Sequence, residues 1–496
     1  MNRAKLVFSV TGLLVSLFLT TRAFAENNSF IKEYTYTASD IDSKVSSRAI
    51  ALDQVKRRLL DQLGAYLITE TGAKNFQLTK DQITTLLAGI VSVEVIHDKW
   101  DGETYYLKAK ITANPQDVVK PLDVLRNDVQ KTRELEGSRN IAEEAMRKID
   151  RLRKESKLAK ENGQIKLEYA NAIKDLLAAD WFDKGLAFYM SHDLNSAINA
   201  YNNAIELYPK YALAYFSRGD AYTRMGSHQQ AIMDYNKVLE LTPANENAYN
   251  NRGFNYGQLG NQRQAIDDYS KAMELNPNYA VAYFNRGFAY KALGNLQQAI
   301  SDYNDAIKLK PNYAEAYSNR GVAYDALGSH HQAVDDYSMA IKLSPNDAYA
   351  YYNRGGAYHD LGDHQQAIDD YTKAIKLNPK MSQAYNNRGF VYFHLGEHQK
   401  AIGDYDKAIE LNPKDAEAFI NRGSAFNDLG DHQQAIDDYT KAIELNPNDA
   451  EAYINRANAY ASQGDNMMRI QNLKMAAKLG HKKAQAYLFE KGIEWR

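Results

Sequence analysis

Eight prolines, Pro209, Pro243, Pro277, Pro311, Pro345, Pro379, Pro413 and Pro447, follow one another at intervals of 34 residues. They are every proline after residue 121. Arg218, Arg252, Arg286, Arg320, Arg354, Arg388, Arg422 and Arg456 keep the same step without an insertion. The stretch "LGDHQQAIDDYTKAI" at 361–375 even returns unchanged at 429–443. A period held this strictly predicts a solenoid, because an insertion would break the stacking of like units.

One period, 348–381, reads as two helices. Tyr351, Arg354, Gly355 and Tyr358 fall at helical spacing, as do Ala367, Tyr371 and Ala374. Gly362 between the groups permits a turn, and Pro379 stops the second helix. Gly355, Ala367 and Ala374 are small where helices must cross closely, and the three tyrosines fill the space left. Such a pair buries little alone, so its neighbours must supply the rest of the core.

This pattern closely resembles the tetratricopeptide repeat. The aromatic opener is Trp181, Tyr215, Tyr249, Tyr283, Tyr317, Tyr351, Tyr385, Phe419 and Tyr453, which makes nine units over 178–483. Four places on stand Gly185, Gly219, Gly253, Gly287, Gly321, Gly355, Gly389 and Gly423, with Ala457 last. The resemblance covers about three-fifths of the chain. It implies a mostly α fold, an α–α superhelical solenoid whose concave groove takes a protein or peptide ligand. Both ends depart from the pattern. The first unit has Lys184 and His192 in place of the arginine and the turn glycine, and the last has Arg469 and Leu473 for alanine and tyrosine. Terminal units need altered outer faces. Residues 484–496 read as a capping helix, with Ala486, Leu488 and Trp495 over the last core.

The arginine of each "RG" pair replaces an apolar residue of the family pattern. An aspartate follows sixteen residues later, as in Arg320 and Asp336, Arg354 and Asp370, and Arg388 and Asp404. This predicts a structural ion-pair ladder, inside a unit or across to the next. Before each arginine stands Asn251, Asn285, Asn319, Asn353, Asn387, Asn421 or Asn455. The resemblance implies that these amides face the groove and hold a partner's backbone. Phe254, Phe284, Phe288, Tyr352, Phe390 and Phe393 form an added aromatic row at groove positions, alongside Phe216 and Tyr349. Positions that would clamp a C-terminal carboxylate hold Phe284, Ser318, Tyr352 and Asn386 rather than lysine, which argues against that use. His228, His330, His364, His398 and His432 recur after the turn glycine, one or more repeats apart. That row is too spread for one tetrahedral metal site, so no metal is expected.

The chain before the repeats has another rhythm. Residues 1–25 carry Arg3 and Lys5, an apolar run and an Ala23-Phe24-Ala25 ending. This pattern predicts a secretory signal peptide cut after Ala25, hence a periplasmic or secreted protein of a bacterial envelope. Residues 26–120 predict a small α+β domain: a strand "FIKEYTYT", a helix with Val45, Leu52, Val55, Leu59, Leu63 and Tyr66 inward, and a hairpin turning at Asp101-Gly102. Residues 121–177 predict a charged helical linker. Leu135, Ala142, Ala145, Ile149 and Leu152 in it suit a coiled-coil seam, and so an oligomer.

Composition removes several functions. There is no cysteine, which excludes disulfides, thiolate nucleophiles and cysteine-held metals. Net charge is −2, so no global field favours nucleic acid or an anionic membrane. No HExxH, nucleophile elbow or phosphate-binding glycine loop is present, and no cofactor or enzymatic activity is expected. The expectation is an exported scaffold for envelope-complex assembly. The rivals are an architectural oligomer through 121–160 and an accessory to a glycan-processing enzyme.

Overall fold

The computed structural model describes residues 28–70, 80–113, 118, 121–122, 128–158 and 162–495. The expected signal peptide at 1–25 lies outside the described residues. The chain divides into two compact units, one ending at Leu275 and the other beginning at Asn276. No helix among the described residues is long and apolar enough to cross a membrane.

The N-terminal unit opens with β1 (Asn28–Thr37), α1 (Lys44–Glu70), α2 (Lys80–Ala88), β2 (Glu94–Trp100) and β3 (Thr104–Ala113). The strands form an antiparallel sheet of order β1-β3-β2, with Asn28 opposite Ala113 and Thr37 opposite Thr104. Alternation along β3 buries Tyr105, Leu107, Ala109 and Ile111, and α1 covers them with Val55, Leu59 and Leu63. Val45 does not join them. It sits in the first turn of α1 and is 64% exposed.

Next come α3 (Val129–Leu158) and α4 (Gly163–Met190). The expected seam of α3 is filled from within the chain. Leu135, Ala145, Ile149 and Leu152 are buried in one core with Phe30, Leu59 and Tyr201, and Ala142 packs at its edge. The repeating apolar spacing packs against α4 and α2 of the same chain. The linker boundary expected at 177/178 falls inside α4, whose N-terminus is capped by the Asn162 side chain accepting from the Gln164 N–H. That helix runs on because Tyr169, Ala172, Ile173 and Leu176 continue its buried face without a break.

Charged groups tie this region together. Lys131 Nζ lies 2.9 Å from Glu134 Oε2 and 2.7 Å from Asp220 Oδ2, while Ser217 Oγ donates to Glu134 Oε2 at 2.6 Å. Lys56 of α1 reaches Asp180 at 3.3 Å and Asp183 at 2.5 Å, both on α4.

Helices then alternate in pairs: α4 with α5 (Leu194–Leu207), α6 (Ala212–Arg224) with α7 (His228–Leu241), and α8 (Glu246–Gln258) with α9 (Gln262–Leu275). The C-terminal unit continues with α10 (Ala280–Ala292) and α11 (Leu296–Leu309), α12 (Ala314–Ala326) and α13 (His330–Leu343), and α14 (Ala348–Asp360) and α15 (His364–Leu377). Then follow α16 (Ser382–His394) and α17 (His398–Leu411), α18 (Ala416–Asp428) and α19 (His432–Leu445), α20 (Ala450–Ser462) and α21 (Asn466–Lys478), and last α22 (Lys482–Glu490).

The pair α14–α15 shows why the sequence folds this way. The Asp347 carboxylate accepts the N–H groups of Tyr349 and Ala350, capping α14. Gly362 at φ 80° turns the chain, and the Asp363 side chain caps α15 through the Gln366 N–H. Ala357, Ala367 and Ala374 are fully buried, and Ala367 shares one core with Tyr371 and Val391. A Cβ on Gly355 would stand 3.0 Å from the Tyr371 ring and 3.3 Å from the Ala367 carbonyl oxygen. The last pair follows the same rule by a different route: Ala457 replaces the glycine, and the position of the opposing tyrosine is taken by the smaller Leu473. Gly355→Ala is therefore expected to destabilise the C-terminal unit by about 1–3 kcal/mol, read as a lower urea midpoint. Adding Tyr371→Leu should cost less than the sum of the two single changes.

The first pair turns without glycine, at His192 with φ 66°. At the far end, α22 caps the core with Ala484 and Leu488 buried against Leu473, Ala476 and Ala477, and Trp495 packs at the edge. Ala486, expected there, is exposed. The inward face of α22 carries 484 and 488, one turn apart, and 486 points the other way.

Candidate functional site

The arginines come first, because the structure consumes them. Arg354 Nε lies 2.7 Å from Asp370 Oδ2, and Nη2 lies 2.8 Å from Oδ1. The same two-pronged contact joins Arg320 to Asp336 at 2.7 and 2.6 Å and Arg388 to Asp404 at 2.8 and 2.7 Å. Arg218, Arg252, Arg286 and Arg422 repeat it with Asp234, Asp268, Asp302 and Asp438. Each of these pairs lies within one helix pair. The remaining nitrogen reaches back to the preceding pair: Arg354 Nη1 donates to Ser338 Oγ at 2.9 Å, Arg388 Nη1 to Thr372 Oγ1 at 2.8 Å, and Arg422 Nη1 to Asp406 Oδ1 at 2.6 Å. The arginine–aspartate contact thus lies inside one unit, and the reach to the preceding unit goes to other side chains. Burial raises the Asp336 carboxyl above its ordinary range, and Arg320 pulls it back. In the last pair Arg456 meets Asn472 instead, at 2.8 Å.

The asparagines lie on the first helix of each pair and are half-buried. Several link one first helix to the preceding one. Asn251 donates to Asp220 Oδ1 at 3.1 Å, Asn387 to the Tyr352 hydroxyl at 3.1 Å, and Asn421 to Asn386 Oδ1 at 3.1 Å. Asn319 accepts from Lys291 Nζ at 2.7 Å and donates to the Glu315 carbonyl at 2.9 Å. Asn285, Asn353 and Asn455 hold the same register position. These side chains knit the first-helix face as well as lining it.

The aromatic row splits in two. Phe284 sits 5.0 Å from the Tyr313 ring and 5.8 Å from Tyr303, and Tyr352 lies 5.8 Å from Tyr371. Phe216 at the equivalent position is buried. This register leans onto the second helix and fills the core. Phe254 and Phe288 are 40% and 48% exposed, and Tyr349 is 65% exposed. Lys291 Nζ stands 4.9 Å over the Phe288 ring, and burial lowers its pKa.

Phe390 and Phe393 are half-buried among histidines. Phe390 packs edge-on to His394 at 4.4 Å and to His359 at 5.6 Å, and Phe393 lies 5.3 Å from His398. His359 in turn lies 5.4 Å from His364. Burial holds the His359 imidazole below its ordinary pKa, and His364 and His394 add to that, with Asp360 opposing. Reading the second-helix histidines alone missed this cluster, because His359 and His394 enter it from first helices. Their spacing, five residues from His359 to His364 and four from His394 to His398, was the available signal.

Tandem helix pairs in fixed register, with a first-helix face of amides and rings, define a helical-repeat scaffold. The profile described as "TPR repeat" matches residues 185–226, 219–260, 255–294, 289–328, 326–362 and 423–464, and two described as "Tetratricopeptide repeat" match 348–381 with 382–415, and 404–437. The chain belongs to the tetratricopeptide repeat family. That membership supports a protein–protein interaction scaffold. Solved structures similar to it include MamA, at 32% identity over 33% of this chain and 96% of that one, with a TM-score of 0.31. YrrB, described as a TPR protein with an unusual peptide-binding site, is 22% identical over 37% of this chain and 95% of its own, with a TM-score of 0.34. A tetratricopeptide repeat protein from Parabacteroides merdae is 22% identical over 50% and 99%, with a TM-score of 0.41. No curated protein matches the chain in sequence.

Proposed function

We propose that this protein is an exported, non-catalytic adaptor that holds an extended protein segment against the first-helix face of its repeats, in assembly of a bacterial envelope complex. The observation that carries the reading is the exposed ring of Phe288, flanked by Lys291 and Asn319, on a face whose pattern returns every 34 residues. Rings supply contact area at small entropic cost, and amides beside them pair with a backbone in both directions. Repetition lets many weak contacts add along one ligand. The arginines are spent on the ladder, so recognition falls to amides and rings. The pattern of residues 1–25 supports export, which N-terminal sequencing of the mature protein tests by finding Glu26 first.

A photo-crosslinking residue at Phe288 or Phe390 is expected to capture a discrete partner in cells. The same residue at Asp369, exposed on the second helix α15, is expected to capture none. Phe390→Ala with Phe393→Ala should reduce capture from position 288 by about tenfold, the loss of one strong anchoring contact. Equal capture from 288 and 369 overturns the reading.

A further inference from the structure

Two side-chain triads in the C-terminal unit stand one 34-residue step apart. Asp325 ends α12, His330 begins α13 and Asp360 ends α14. Each offers one ligand atom, and the three atoms lie within 4.8 Å of one another. His330 Nδ1 is 2.7 Å from Asp325 Oδ1 and 3.9 Å from Asp360 Oδ2. One repeat further on, the same register positions hold His359, His364 and His394. Those rings stand further apart, with His359 5.4 Å from His364 and 6.2 Å from His394 by centroid, and their ligand atoms do not close to the spacing of the first triad. Nδ1 of His359 and of His364 is buried with no hydrogen-bond partner among the described residues.

The repeat pattern does not demand this. The register positions one step earlier hold Lys291, Leu296 and Ala326, and those one step later hold Phe393, His398 and Asp428. Complete sets of three donors therefore occur at two adjacent steps, flanked by incomplete ones.

We propose that Asp325, His330 and Asp360 bind a divalent transition-metal cation of the zinc class. Imidazole with carboxylate is a donor set for zinc, cobalt or nickel, whereas calcium and magnesium take oxygen ligands alone. Tetrahedral zinc bonds of about 2.0–2.2 Å set donors roughly 3.3–3.6 Å apart. The spacing of the first triad brackets that range, so side-chain rotation suffices to close it. Its members are 28%, 26% and 50% exposed in chain order, which leaves a route for the ion. Three protein ligands leave a fourth position open to water or to a partner's donor. An ion there joins α12 and α13 to α14, and so clamps one helix pair to the next. Metal that binds only the folded form also stabilises it.

The test uses the untagged full chain, titrated with cobalt(II) chloride by visible absorption and with zinc chloride by calorimetry. Expected are one saturable site per chain, a visible cobalt band and a zinc-dependent rise in the melting temperature of the C-terminal unit. His330→Ala should remove the site and His364→Ala should leave it, with circular dichroism unchanged. A site lost equally in both variants overturns its assignment to Asp325, His330 and Asp360. No cobalt band, or binding in His330→Ala equal to that of the parent, overturns the proposal and leaves Asp325 and His330 as a hydrogen-bonded pair only.

Discussion

Lys131→Ala is expected to destabilise the N-terminal unit by about 3–5 kcal/mol, the range for a buried charge that loses its partner. Glu134 is fully buried and Lys131 nearly so. Removing the ammonium leaves Glu134 and Asp220 as two carboxylates in a water-poor pocket, with Ser217 alone donating to Glu134 Oε2. Burial already pushes the Glu134 carboxyl above its ordinary range, and Lys131 is the main influence holding it down. The change should appear as a lower urea midpoint in tryptophan fluorescence, since Trp100 and Trp181 both lie in this unit. Adding Glu134→Gln should restore much of the loss, because the uncompensated charge goes with it. A midpoint unchanged in Lys131→Ala would mean that α3 is held by its apolar seam alone.

The ladder gives the second large effect. Arg354→Ala should cost about 3 kcal/mol, because Asp370 remains buried without its two-pronged partner. Asp370→Asn should cost less, since an amide keeps one acceptor for the guanidinium. The double variant should fall short of the sum by more than 1 kcal/mol, which is the coupling expected of side chains in direct contact. Strictly additive effects would show that the pair contributes nothing beyond packing. Arg456, which faces Asn472 rather than a carboxylate, provides an internal comparison: Arg456→Ala should cost less than Arg354→Ala.

The solenoid was legible because its information is periodic and local. Gly355 and Tyr371, sixteen residues apart, fix how closely two helices cross, and the sequence states that pairing again at every step but the last. The Arg354–Asp370 contact was legible for the same reason. What escaped was non-periodic or depended on depth. Val45 fits the helical spacing of α1 yet lies before the sheet begins to cover it. Phe284 and Phe288 look alike in the sequence, but one leans on Tyr303 and the other faces water. Only the tilt of the helix against its partner separates them. The seam of α3 had a correct period and an unreadable partner, since spacing names a face and never what lies opposite.

The 28-residue α4 serves two masters, the sheet domain through Lys56 and the repeats through Tyr201. The first helix pair therefore has no loose outer edge, while the last pair is covered by nine-residue α22. Amide exchange should then be lopsided, slowest in α4 and fastest in α22 and the pair it covers. A chain leaving the ribosome would meet its most firmly anchored template before the rest of the array is made.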